Sequence, residues 1–159
     1  MLGRQHADAV ATAGGIPVLL DLRQDPVDQL ANVLHKTHGV DAEGYAVDIT
    51  QEQQVASNCL AIQERFGRID GLINNAANNP KVENNGEENF SRLEKFPMEA
   101  WKADLAVGLT GAFLCAKHYG SAISKNPIGG VILNISSDLG LIAPDQRLYR
   151  QLGLPEEQQ

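Results

Sequence analysis

Four short apolar runs in this chain of 159 residues end in side chains that can do chemistry. Pro17 to Leu20 ends in the carboxylate of Asp21. Tyr45 to Ile49, read as a short strand, carries Asp48 next to its last residue. Ile69 to Ile73 ends in two amides and two small residues, Asn74, Asn75, Ala76 and Ala77. Val131 to Ile135 ends in Ser136, Ser137 and Asp138. Carboxylates placed this way can accept hydrogen bonds from hydroxyl groups. Paired amides can bond backbone across a break in a sheet, and alanines let something flat come close. A serine hydroxyl can hold an oxygen atom. Each group taken alone is also an ordinary turn or cap residue. Their shared place, at the end of an apolar run, separates the two readings.

Such runs fit strands buried on both faces, as in a parallel sheet, where ligands bind beyond the carboxyl ends of the strands. The segments between them carry helical spacing. Residues 1 to 14 read as a helix with Ala7, Val10, Ala11 and Gly14 on a tight face. Asp25-Pro26 should start a second, Asp as the cap and Pro at the first helical position. Val27, Leu30 and Leu34 share its face, and Gly39 ends it. Thr50-Gln51-Glu52-Gln53 reads as a capping box for a helix whose stripe is Val55, Cys59, Ile62 and Phe66, closed by Gly67. Pro97 opens a long helix with Trp101, Leu105, Leu109 and Ala112 along one side. Residues 78 to 92, rich in Asn, Glu and Gly, should be an exposed loop. Strand and helix alternate throughout, so the fold class is α/β with a largely parallel sheet.

Composition narrows the functions. The chain allows one domain with a real core. A net charge of −7 with scattered Lys and Arg argues against a nucleic-acid surface. No apolar run approaches the roughly 20 residues of a membrane span, and no secretory signal is visible. No metal is expected: His35 and His38 sit at a helix end without a Cys or carboxylate cluster, where a favourable charge explains them. Cys59 and Cys115 read as small core side chains in a reducing, cytoplasmic setting.

Asp21 is also placed by a spacing rule. In a dinucleotide-binding unit an acid about 20 residues after the glycine fingerprint accepts bonds from the adenosine ribose, and favours NAD over NADP. Gly3 precedes Asp21 by 18 positions (21 − 3 = 18), in place to be the last glycine of that fingerprint. Asp21 read without that rule is a solvated loop acid beside Arg23.

Asn74-Asn75-Ala76-Ala77 after a strand resembles the Asn-Asn-Ala-Gly signature of the short-chain dehydrogenase/reductase family, and the chain resembles that family from Gly3 to about Gly140. The resemblance implies a partial Rossmann-like, doubly wound parallel sheet lacking its first strand. Residues 1–142 would be an incomplete dinucleotide-binding domain and 143–159 a polar tail or the start of a loop. It implies an oxidoreductase using NAD on an alcohol or carbonyl substrate. Gly3, Asp21, Leu22, Asp48, Ile49, Asn75, Ala76 and Ala77 would bind the cofactor. Asp48 would take the adenine amine and Ile49 would cover the ring, although Asp48 can equally serve the start of the next helix. Asn74 would hold the sheet together. Ser137 matches the catalytic serine.

The family pattern is broken in three places. It pairs a tyrosine with a lysine four positions on, because an unassisted phenol with a pKa near 10 is a poor base at neutral pH. Tyr149 is followed at that spacing by Gly153, and no lysine occurs after Lys125. Gly108 stands where an asparagine is usual, and the first strand with most of the glycine motif is absent. The resemblance therefore implies a chain cut at both ends, inactive alone and weak in NAD binding. The missing strand would lie between those ending at Asp21 and Asn74, so the chain should be marginal, close the gap, or borrow a strand. The competing expectation is a non-catalytic interaction or regulatory module pairing with a complete family member. The helix from Pro97, which helps build the oligomer interface in the family, would serve either as that surface or in a homo-oligomer.

Overall fold

The computed structural model describes residues 2–78, 93–142, 145, 147, 152 and 153. The first helix, α1 (Leu2–Thr12), leads through Gly14 and Gly15 into β1 (Val18–Asp21). Next come α2 (Gln24–His38), β2 (Glu43–Ala46), α3 (Glu52–Phe66) and β3 (Gly71–Asn74). A continuous helical run over 98–123, α4, follows, and two of its stretches, Ala106–Gly111 and Ala116–Gly120, are wound as π-helix. The strand β4 (Val131–Asn134) comes last, before a short 3-10 turn at Asp138–Gly140.

The class expected from the alternation is the one observed. All strand pairing among the described residues is parallel, β1 with β2 and β3 with β4. Helices cover both faces. One buried cluster joins Ala7 and Ala11 of α1 to Leu34 of α2, against Leu19 of β1. The other joins Val55, Cys59 and Ile62 of α3 to Cys115, Tyr119 and Ala122 of α4, against Leu20, Tyr45 and Leu72. Small residues at α1 let it lie close, and the stripe read on α3 is the face that is buried. Inside the second cluster, the Tyr119 hydroxyl donates to Asn58 Oδ1 at 2.9 Å, so both buried polar groups are satisfied. Burial pushes the Cys115 thiol up to about 11.

The strands do not form one sheet. Among the described residues they form two separate two-stranded sheets, with β1 and β3 unpaired to each other. Facing them across the break is a groove of about 450 Å³.

Several local expectations need correction. Asp25 does not cap α2. The helix starts at Gln24 after Arg23, so Pro26 is its third residue, still in the first turn where a backbone N–H lacks an intrahelical acceptor. Gln24 takes the leading role instead. Its side-chain amide donates to Gly44 O and accepts from Ala46 N, both at 2.8 Å, plugging the outer edge of β2. The Thr50 capping box does not form either: α3 begins at Glu52 after Gln51, with no side-chain cap bond. Thr50 spends its hydroxyl and N–H on Asp48 Oδ1, at 2.7 and 2.9 Å. The strand read as Tyr45 to Ile49 lies earlier, over Glu43–Ala46, because the Asp48 turn ends it. The run from Val131 forms its strand, but not a buried one. Val131, Ile132 and Leu133 are 63%, 42% and 46% exposed, since β4 has a single neighbour strand and little cover beyond the Gly120 region of α4. Gly39 and Gly67 do end their helices, both at positive φ.

Candidate functional site

Parallel strands carry their last residues to one end of the sheet. Asp21 is the final residue of β1, Asp48 follows β2 by two, Asn75 follows β3 by one, and Ser137 follows β4 by three. The ladders tie these ends pairwise. Val47 N donates to Asp21 O at 2.8 Å, and Ile135 N donates to Asn74 O at 3.0 Å. Helix α1 enters the same rim from the other side. A Cβ built on Gly3 would lie 3.0 Å from Asn75 Nδ2, so α1 comes close to the Asn75 side chain, which would have to give slightly for any larger residue. The helix thus points its first turn at the strand ends, and that turn holds no acidic residue.

Each residue singled out in the sequence has a defined setting. Asp21 is exposed and its Oδ1 takes only a long bond, 3.4 Å, from Arg23 N. Leu22 is 70% exposed beside it. Asp48 is half-buried and held by Thr50, while its own N–H donates to Gln54 Oε1 at 2.9 Å. One carboxylate oxygen is therefore committed to the turn, and among the described residues the other has no bond of this kind. Ile49 packs against α4 at Gly111, where an added Cβ would lie 2.8 Å from Ile49 Cδ1. Asn74 bridges the strand ends: Nδ2 donates to Asn134 Oδ1 at 2.7 Å and to Ala112 O at 3.5 Å. That is the sheet-holding place expected of it. Asn75 is half-buried against Gly3, and Ala76 and Ala77 are exposed past it. Ser137 is exposed, with Oγ donating to Asp138 Oδ1 at 3.1 Å. Gly108 lies exposed on α4 with open space around its Cα. Tyr149 lies outside the described residues, as does nearly all of the loop expected over 78 to 92.

Sequence reasoning missed the supports. Gln54, Gly111 and Asn134 fix Asp48, Ile49 and Asn74 respectively. Their only signals are a Gln four residues after Thr50, one of several glycines in a helix, and an Asn ending a strand. None is distinctive without the fold.

Among the described residues no group of three or more His, Cys, Asp or Glu could hold a metal ion, and no helix is long and apolar enough to cross a membrane. What the rim offers is an exposed carboxylate, a steadied second carboxylate, a close helix N-terminus and a hydroxyl, all at strand ends. That set suits a nucleotide-sized ligand with hydroxyls and an anionic group.

The short-chain dehydrogenase family model matches residues 2–148. The chain belongs to that family. It is 32% identical over 141 residues to the uncharacterized oxidoreductase YxjF of Bacillus subtilis (strain 168), covering 89% of this chain and 51% of YxjF. A NAD+-bound xylitol dehydrogenase superposes with a TM-score of 0.72 at 26% identity, over 89% of this chain and 53% of that one. A metagenomic short-chain oxidoreductase in complex with NADP gives 0.71 at 25% identity, over 86% and 57%. The chain spans about half the length of the curated relatives it matches. The likeness to these solved structures goes with the Rossmann-like α/β architecture described above.

Proposed function

We propose that this chain forms the cofactor-cradling part of an NAD-dependent oxidoreductase acting on an alcohol or carbonyl substrate. The observation that carries this is the contact of Gly3 with Asn75, which brings the α1 N-terminus to the strand ends where Asp21, Asp48 and Ser137 also lie. Bound NAD would supply the hydride acceptor. Asp21 would accept hydrogen bonds from the adenosine ribose hydroxyls, and its charge would repel a 2′-phosphate. Asp48 would take the adenine amine on its second oxygen, with Ile49 and Leu22 as apolar walls. Asn75, Ala76 and Ala77 would line the approach to the ribose. The first turn of α1 would face the pyrophosphate with free N–H groups. Ser137 Oγ would turn from Asp138 to hold the substrate oxygen.

Turnover should be poor, because Gly108 cannot hold a water as an asparagine side chain could. The free, buried Cys59 and Cys115 suit a reducing cytoplasm. Calorimetric titration with NAD+ and NADP+ tests the reading. Binding that favours NAD+ is expected. Preference for NADP+ would contradict it.

A second reading is favoured by one observation. Trp101, Leu109 and Phe113 are 54%, 64% and 62% exposed along α4, together with Leu105. Such a stripe suits a partner, either a second copy or a complete family member paired with a non-catalytic module. Leu109→Glu should then abolish any dimer seen by analytical ultracentrifugation. A dimer unaffected by that change would remove the α4 face from consideration.

A further inference from the structure

One uncharged side chain joins the segments that lead to Asp21 and Asp48. The carboxamide of Gln24, the first residue of α2, lies along the outer edge of β2 as a neighbouring strand would. Its Nε2 donates to Gly44 O at 2.8 Å, and its Oε1 accepts from Ala46 N at 2.8 Å. Nε2 also donates to Asp28 Oδ1 at 2.7 Å, one helical turn on. These partners fix the orientation of the amide, since the reverse would set its oxygen against a carbonyl and a carboxylate.

The inner edge of β2 is tied to β1 over the same stretch. Asp21 lies opposite Ala46, and Val47 N donates to Asp21 O at 2.8 Å. Strand β2 is therefore held from both edges just before Asp48. The same strand closes the turn Asp21–Leu22–Arg23 at both ends, Asp21 through the ladder and Gln24 through its side chain. Within the turn, Arg23 N makes a long 3.4 Å bond to Asp21 Oδ1, and all three residues are exposed, so burial does little to order it. We propose that Gln24 is a positioning residue for the adenosine half of the cofactor, holding the Asp21 turn and the Asp48 turn at a fixed spacing. It touches no reacting atom and acts through the two carboxylates. The role rests on the nucleotide reading of the rim. A carboxylate of the same length could accept from Ala46 N but would have no hydrogen for Gly44 O or Asp28. The Ala46 bond lies at an exposed edge, where water can replace it, so its loss should loosen the turn without unfolding the domain.

Competitive titration of the full chain with NAD+, NADP+ and nicotinamide hypoxanthine dinucleotide tests this. NADP+ adds a phosphate at Asp21, and the hypoxanthine analogue lacks the amine assigned to Asp48. The wild-type chain should prefer NAD+ to both. Gln24→Ala and Gln24→Glu should each cut both preferences by about threefold or more, with little change in Tm. Glu also suits a helix N-terminus, so its effect isolates the amide. Hydrogen exchange without nucleotide gives a second readout. The Ala46 amide should exchange about tenfold or more faster in Gln24→Ala, while that of Val47, held by Asp21 O, stays slow. Asn58→Ala, in the core away from the rim, is the control: it should lower Tm and leave both preferences unchanged. Faster Ala46 exchange with both preferences intact would overturn the positioning role and leave the nucleotide reading standing. Unchanged Ala46 exchange, or an equal loss of affinity for all three nucleotides, would overturn it too. A wild-type chain with no preference for NAD+ over NADP+ would overturn the nucleotide reading itself, and the role of Gln24 with it.

Discussion

Asp21 stands out as a candidate site residue because it pairs a chemical type with a strand end and a spacing from Gly3. Asp48 reads as a choice between two roles, and the structure shows the turn role directly, with one carboxylate oxygen bound by Thr50. Asp21→Ala should lower the preference for NAD+ over NADP+ by about tenfold or more, since hydrogen bonds to a charged group contribute about 1.5–3 kcal/mol. Competitive titration with the two nucleotides reads this directly, and an unchanged ratio would remove Asp21 from the site. The cysteines make a different kind of prediction. Cys115 is 3% exposed, and its folded pKa of about 11 exceeds the ordinary 9.0, so the neutral thiol is the form the core favours. Its contribution to stability is complete below pH 9 and is lost as pH rises from there through about 11. At pH 8 a thiol reagent should modify Cys115 only at the rate of unfolding. Prompt labelling in the folded protein would show that α4 does not pack as described.

Element identities could be read from apolar periodicity, and element starts could not. The periodic stripe of α3 is buried as its spacing implies, whereas the expected caps of α2 and of α3 itself are displaced. Thr50 and Asp25 are good cap residues in isolation, but Asp48 competes for Thr50, and Gln24 can reach β2 only if α2 begins before Asp25. Local signals are outvoted by such longer-range bonds. The contact of α2 with β2 gives a sharp test. A Cβ on Gly44 would lie 2.8 Å from the Val27 backbone carbon, with no flexible atom to yield. Gly44→Ala should cost about 1–3 kcal/mol by overpacking, measured by urea unfolding. Asn58→Ala should cost a similar amount, about 1–3 kcal/mol, by leaving the Tyr119 hydroxyl buried without an acceptor. No loss of stability in either variant would contradict the packing of these faces.

The whole molecule is two parallel strand pairs with helices on both sides and a groove where a central strand would join them. The sequence allowed three outcomes for that gap, and the structure keeps it open. Strand β4 was misjudged. A run of five apolar residues reads as doubly buried, but burial depends on which neighbours are present, and here β4 has one. The family was legible in the order of short motifs at strand ends, whereas substrate choice is not written in any residue described.

At every scale the account depends on the strand ends forming one nucleotide-binding rim. The most direct measurement is an amide chemical-shift map of the isotope-labelled chain titrated with NAD+ into the millimolar range, which detects weak binding. The account predicts saturable shifts clustered at Gly3, Asp21, Leu22, Asp48, Asn75 and Ala76, with the groove-facing amides of Val18 and Gly71 little affected. Shifts scattered over the surface, or none at that rim when NAD+ is in large excess, would contradict it.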